Sequence, residues 1–188
     1  MAASLIVLIA FRATGLTWAI SRLARADSLL QLAAELCGRA EHDPQGIASR
    51  DTRAALDQAV EALAGVSGAR RALQVAVLRE RVDRLSAVRD LVLRLVSIRT
   101  DRGEHFDRDY AAAFRTFGLD LDALDPPAVG QSLAPLASAA EIATGIDDWA
   151  RVRRPRADKK DDPTWRRLVE AAWRTFRSAQ SGARRRTP

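Results

Sequence analysis

A long stretch of regularly spaced apolar residues restricts what this chain can fold into more than any other feature. Between positions 70 and 98 the apolar side chains recur at steps of four or three residues, which places them on one face of an α-helix. The spacing predicts a helix of about 30 residues. Its apolar stripe consists of Leu78, Val82, Leu85, Val88, Val92 and Leu95.

Such a stripe needs an apolar partner. Two arrangements supply one: an antiparallel hairpin with the preceding helices, or a short coiled coil with a second chain. The connecting turns are short, which favours the hairpin. A homodimer through the 70–98 helix is the alternative.

Helical patterns also occupy the rest of the chain. One apolar face over 29–37 ends before Pro44 and Gly46, and another over 56–63 ends at Gly65–Gly68. Beyond residue 100 the helices become shorter, and no segment alternates between apolar and polar residues as a strand would. We therefore predict an all-α fold, with a long N-terminal helical hairpin or short coiled coil followed by a compact array of shorter helices.

Cap signals place the shorter helices. Asp107 is predicted to cap a helix containing Tyr110, Phe114 and Phe117, which Gly118 closes in a left-handed conformation. The next helix starts at Asp125-Pro126-Pro127, where proline at the first helical position costs no hydrogen bond. A further helix buries Ile142, Ile146 and Trp149.

The last helix is predicted to start at Asp162-Pro163. One strong apolar stripe runs along it, and we expect the whole stripe to be buried. Its members are Trp165, Leu168, Val169, Ala172, Trp173 and Phe176.

We divide the sequence into an apolar N-terminal segment (1–24), long amphipathic helices (25–100), a short-helix module (101–180) and a disordered basic tail (181–188). The run from Ala2 to Ile20 is interrupted by one charge, Arg12. Its apolar side chains favour membrane insertion by about 2 to 5 kcal/mol, and a central arginine opposes insertion by about 2.5 to 3.5 kcal/mol. This near-balance leaves a membrane anchor and a buried N-terminal helix open. A cleaved signal peptide is disfavoured, because no lysine or arginine precedes the apolar run. We expect a cytoplasmic or inner-membrane-associated protein.

No arrangement of titratable residues predicts catalysis. His42 and His105 lie in acidic turns that match no metal-site spacing. Cys37 is the only cysteine, and its position on an apolar helical face predicts a small buried side chain. Asp147 and Asp148 are adjacent and would point about 100° apart on a helix, so they do not readily converge on one atom. We predict a non-enzymatic protein with no cofactor and no metal.

Basic charge is concentrated near the C-terminal end. The chain carries a net charge of +6, of which residues 151–188 contribute +9 and residues 1–150 contribute −3. Clustered arginines can neutralise phosphates on nucleic acid or anionic lipid. Aspartates interrupt the cluster and its tryptophans belong to a core stripe, so nucleic-acid binding is the alternative and not the leading function. The candidate anion contacts are Arg151, Arg153, Arg154, Arg166 and Arg167.

An ordered set of motifs occupies residues 87–173. It includes the strings AVRDLVLRLVSIRTDRGEHFD, DRDYAAAFRTFGLDLDALDP, GIDDWARVRR and DDPTWRRLVEAAWR. This set resembles the helical region between the kinase domain and the tetratricopeptide or WD40 repeats of bacterial serine/threonine protein kinases of the planctomycete type. The positions that match the family pattern, expected to be packing positions, are Tyr110, Phe114, Phe117, Asp148, Trp149, Trp165 and Leu168.

In that family the region is a non-catalytic spacer and interaction segment. The resemblance therefore implies a signalling context and one or more protein partners, without phosphotransfer by this chain. The sequence departs from the family pattern, because no kinase domain precedes the segment and no repeats follow it; we expect a fragment of such an architecture or a stand-alone adaptor. Together these observations predict a helical interaction module, for which an anionic membrane surface is a further candidate partner.

Overall fold

The protein is built from helices. A computed structural model describes residues 2–41, 48–63, 69–101, 105–136, 138–154 and 164–184. In these ranges the chain forms seven α-helices and no strand, which confirms the predicted all-α fold. They are α1 (Ala2–Ala40), α2 (Ala48–Leu63), α3 (Ala69–Asp101), α4 (Phe106–Thr116), α5 (Pro126–Leu133), α6 (Ala139–Arg153) and α7 (Thr164–Arg184).

Several predicted features fall in segments that these ranges do not include. The turns at Pro44–Gly46 and Gly65–Gly68 lie outside the described residues, as do His42 and the helix start at Asp162-Pro163. Side chains are described for 20–41, 51–63, 69–101, 105–136, 138–154 and 164–180, so Arg12 lies outside them as well.

Contacts divide the chain into two compact units. The first comprises Met1–His42 and Gly46–Leu85, and the second comprises Asp43–Gln45 and Ser86–Pro188. The division falls inside α3, whereas the sequence segments change at residues 24 and 100. The backbone of α1 continues through residue 24 without a break, and α7 extends to Arg184, four residues into the predicted disordered tail.

In the first unit, α1, α2 and the beginning of α3 share one apolar core. The long α3 is 33 residues in length, as its periodicity predicts, and its Leu78 and Val82 are buried in this core. The other buried members are Leu30, Ala33, Cys37, Ala55, Leu56 and Ala59. The first part of the predicted stripe is therefore buried within the chain.

Charged pairs join the helices at the edge of this core. Arg71 on α3 donates two hydrogen bonds of 2.9 Å to the carboxylate of Asp27 on α1. Arg53 on α2 pairs with Asp83 on α3 at 2.9 Å. All four side chains keep a third or more of their surface exposed, so each pair contributes little to stability and mainly fixes the register of the helices.

The second unit is built around Trp149 of α6. The Trp149 side chain is 1% exposed and is stacked with Tyr110 and Phe114 of α4, with ring centroids 6.1 and 5.8 Å apart. Ile142 and Ile146 are fully buried beside it, as predicted. The second half of α3 brings Val88, Leu91, Leu95 and Ile98 to the same core.

Two predicted helix boundaries in this unit are confirmed. Gly118 has a positive φ of 91° after α4. The N–H of Gly118 donates to the carbonyl of Arg115 and that of Leu119 to the carbonyl of Phe114, both at 2.9 Å, which satisfies carbonyls that the helix end would leave unpaired. Asp125 precedes α5 in an extended conformation, and Pro126 occupies the first helical position.

Candidate functional site: a groove between α5 and α7

The predicted apolar stripe of α7 is only partly buried. Leu168 and Ala172 are buried, but Trp173 keeps 56% of its surface exposed, and Val169 and Phe176 keep 40% each. The prediction that the whole stripe is core was wrong for these three residues. At a spacing of four and three residues they form a separate exposed face, which we call the α7 aromatic face.

Trp173 of this face lies at the edge of a close contact between α5 and α7. A Cβ atom on the buried Gly130 of α5 would lie 2.9 Å from the Cβ of Arg174. Glycine therefore lets the two backbones come together at this point. On α7 the buried face carries the small residues Ala171 and Thr175, whereas Trp173 lines the open edge of the contact.

A shallow groove of about 340 Å³ lies along this contact. On the α7 side, the guanidinium of Arg177 lies over the Trp173 ring, 5.0 Å from its centroid. Arg174 donates to the carboxylate of Glu170 at 2.7 Å, one turn away. The lining residues are Pro127, Gly130, Gln131, Glu170, Trp173, Arg174, Arg177 and Ser178.

A charged cluster in the second unit joins α4, α6 and the loop that leads into α5. The indole N–H of Trp149 donates to Asp107 at 2.6 Å, and the Arg153 guanidinium, which lies 4.4 Å above the Trp149 ring, donates to both Asp107 and Asp122. Burial disfavours the charged form of Arg153, but its hydrogen bonds to Asp122 and Asp107 outweigh this effect and raise its pKa. The cluster ties α4 and α6 to the 119–125 loop.

This cluster corrects the predicted role of Asp107. The residue before α4 is His105, and Asp107 lies within the first turn of the helix. Its carboxylate bonds to groups on α6, about 40 residues away in sequence. The side chain therefore joins two helices, which a local cap pattern does not reveal.

The five arginines predicted to contact anions do not form one basic patch. Arg153 pairs with Asp107 and Asp122, and only 15% of its side chain is exposed. Arg167 donates to the backbone carbonyls of Asp122 and Leu124. The prediction of an external anion contact is therefore corrected for these two residues, since their donors are directed at groups of the chain itself.

The other three predicted contacts remain at the surface. Arg151 pairs with Asp147 at 2.6 Å and lies 3.8 Å from Asp148. Arg154 and Arg166 are exposed and flank the ring of Trp165, at 5.3 and 5.4 Å from its centroid. The structure thus brings Arg154 and Arg166 together around one tryptophan and places Arg151 among carboxylates.

Most of the family-pattern positions pack in the second unit. Tyr110, Phe114, Trp149 and Leu168 are buried, and Phe117 and Trp165 are half-buried. Burial raises the pKa of the Tyr110 hydroxyl, and the nearby charge of Asp148 adds to the effect. Asp148 itself is half-buried and reaches Arg99 at 3.4 Å.

The remaining chemistry-bearing residues are dispersed. Cys37 is fully buried, as predicted, and burial raises the pKa of its thiol. His105 is exposed at the start of α4. Across the described ranges, no three His, Cys, Asp or Glu side chains are arranged to hold a metal ion.

The chain matches no protein-family model, no curated protein and no solved structure. In the part of the chain that the structure describes, no helix is both long enough and apolar enough to cross a membrane.

Proposed function

We propose that this chain is a non-catalytic helical interaction module that binds an acidic protein surface through the α7 aromatic face and the groove beside it. The observation that carries the proposal is Trp173. It is a large aromatic side chain that keeps 56% of its surface exposed at the edge of a groove, beside an arginine that lies over its ring.

The composition of this face supports a protein partner. Residues that dominate binding energy in protein interfaces are enriched in tryptophan and arginine, and they sit in or beside pockets on rigid elements. Trp173 and Arg177 are of these types and line the groove. Val169 and Phe176 extend the apolar area along the helix, so a partner would bury a continuous strip.

The charge of α7 indicates the sign of the partner. Thr164–Arg184 contains five arginines and one glutamate. Arg167 and Arg174 already bond to groups of the second unit, so the positive charge that a partner would meet is smaller than this count. Opposite charge on the partner would speed association and favour the correct orientation. We therefore expect a contact surface with acidic residues around an apolar centre.

The role of the charged cluster supports a non-catalytic function. Asp107 and Asp122 are both paired with Arg153, and these ion pairs join two helices and a loop. These ion pairs have a structural role, because they hold α4, α6 and the 119–125 loop together. We expect the contacts that contribute most to partner binding to lie on α7 and not in this charged cluster.

The resemblance to the post-kinase region extends the proposal to a signalling context, with the partner a component of a kinase-type signalling system. The nucleic-acid alternative is less well supported. It depends on the Arg-rich helix, and Arg167 and Arg174 there already bond to groups of the second unit.

Site-specific photo-crosslinking in the native host tests the proposal. A photoreactive amino acid replaces Trp173 in one variant and Leu93 in a control. Leu93 on α3 is a matched position because it is 55% exposed and lies in the same unit. We expect a discrete protein adduct, with an acidic contact surface, from position 173 and not from position 93.

Three outcomes would contradict the proposal. They are the absence of an adduct from position 173, an adduct to nucleic acid or lipid in place of protein, and the same protein adduct from both positions. A purified partner then allows a salt titration. The affinity of the partner for the wild-type chain should fall as the salt concentration rises, because exposed charges are screened.

A further inference from the structure

An exposed apolar ridge lies beside an open groove in the first unit. Leu73 and Val77 on α3 keep 66% and 56% of their surface exposed. The groove next to them runs between α1 and α3, has a volume of about 600 Å³ and is lined by Leu30, Ala34 and Leu78 among others. This ridge lies on a different face of α3 from the buried stripe that includes Leu78.

The charges around the ridge form a symmetric pattern. Arg70, Leu73, Val77 and Glu80 are separated by three, four and three residues, which puts them on one face of α3, and all four are exposed. The spacing reads the same in both directions, but the end at Arg70 is positive and the end at Glu80 is negative. Glu80 also accepts a hydrogen bond of 2.8 Å from Arg84 one turn away, an exposed pair that contributes little and leaves the carboxylate accessible. Such a face is complementary to its own antiparallel copy.

We propose that this face of α3 binds a second copy of the chain in antiparallel orientation, around a two-fold axis that passes near position 75. In that register Leu73 lies opposite the partner's Val77, and Arg70 lies opposite the partner's Glu80. Both contacts occur twice. A parallel pairing in register would instead place like charges together at both ends.

The groove fits the same arrangement. The ridge of one copy enters the groove between α1 and α3 of the other, and side chains of one helix then fill the space between two helices of its partner. Leu73 and Val77 each lose exposed apolar surface in both copies, which drives association. The charged pairs at the ends select the antiparallel orientation.

Sedimentation equilibrium of the full chain measures the dimer dissociation constant. The wild type should dimerise. The reversals Arg70→Glu and Glu80→Arg should each weaken the dimer about tenfold or more, because every copy of the contact becomes a like-charge pair. The double variant Arg70→Glu/Glu80→Arg should restore affinity to near the wild-type value, since opposite charges face each other again.

Two controls separate this interface from unspecific effects. Arg79→Glu changes the net charge as Arg70→Glu does, but on another exposed face of α3, and should leave the dimer unchanged. Leu73→Ser should weaken the dimer about tenfold or more, whereas Leu32→Ser, at a leucine of α1 that is 45% exposed, should not. Circular dichroism establishes that each variant keeps its helices.

The proposal is overturned if the wild type is monomeric at the highest concentration reached, if Arg70→Glu weakens association no more than Arg79→Glu, or if the double variant fails to recover. The double variant Arg70→Glu/Glu80→Arg is the most informative of these proteins. A misfolded protein would not regain affinity when a second reversal is added.

Discussion

Replacement of Gly130 by alanine tests whether α5 and α7 pack as closely as the structure shows. The new Cβ would lie 2.9 Å from the Cβ of Arg174 and 3.4 Å from its carbonyl carbon. Carbon atoms normally approach to about 3.5 to 4.0 Å. The Cβ of Arg174 is fixed to its backbone and cannot rotate away, so the two helices must separate by several tenths of an ångström.

Two effects of opposite sign determine the outcome. Alanine is favoured over glycine inside a helix by up to about 1 kcal/mol. Extra volume in a packed contact costs about 1 to 3 kcal/mol, and here the new Cβ would also lie 3.5 Å from the backbone nitrogen of Thr175. The difference of the two effects is a net cost of about 0 to 2 kcal/mol, so we expect Gly130→Ala to lower the free energy of unfolding by about 1 kcal/mol.

Urea unfolding followed by circular dichroism measures this change. Gly38→Ala on α1 is the matched control, because its new Cβ would meet no atom within 4 Å apart from its chain neighbours and the backbone of its own helix. It should raise the free energy of unfolding by about 0.5 to 1 kcal/mol. In an Arg174→Gly background the penalty of Gly130→Ala should shrink, since the opposing Cβ is gone. A stabilising effect of Gly130→Ala, equal to that of Gly38→Ala, would refute the close contact.

Three further predictions concern stability and reactivity. Arg153→Met removes the cation shared by two carboxylates and should lower the free energy of unfolding of the second unit by about 2 to 3 kcal/mol in urea. An unchanged urea midpoint would show that the charged cluster does not stabilise the fold. Cys37 should react with an alkylating reagent far more slowly in the native protein than in urea, because it is buried and burial raises its thiol pKa; equal rates would contradict its burial. The hydrogen bonds from Arg71 lower the pKa of Asp27 below its ordinary value of 3.8, so the stability that this pair adds is complete above that value and is lost as pH falls through the lowered pKa. Thermal unfolding of Asp27→Asn should therefore show a weaker loss of stability on acidification than the wild type, and identical pH profiles would count against the pair.

The features that the sequence predicts correctly are those with a local cause. The length of α3 follows from a repeat of four and three residues along its own segment. The cap at Gly118 and the start of α5 at Pro126 follow from the backbone preferences of single residues. Burial of Ile142, Ile146 and Trp149 follows from their spacing on one helix.

The features that the sequence does not predict depend on distant contacts. Trp173 carries the same apolar signal as Leu168, but only Leu168 is covered by the core of the second unit, and that depends on helices distant in sequence. Asp107 has the local pattern of a helix cap. Its actual hydrogen-bond donors lie on α6, so its role cannot be read from the neighbouring sequence. One signal was nevertheless present: Arg153 follows Trp149 by four residues, a spacing that brings a cation onto the ring.

The affinity of the protein captured at position 173 tests the central claim most directly. Isothermal titration of that purified partner compares the wild type, Trp173→Ala and Leu93→Ala, two truncations of equally exposed side chains in one unit. The account predicts that Trp173→Ala weakens binding about thirtyfold or more, as for an interface hot spot, and that Leu93→Ala leaves it within about twofold. Equal affinities of all three proteins would contradict a binding face on α7.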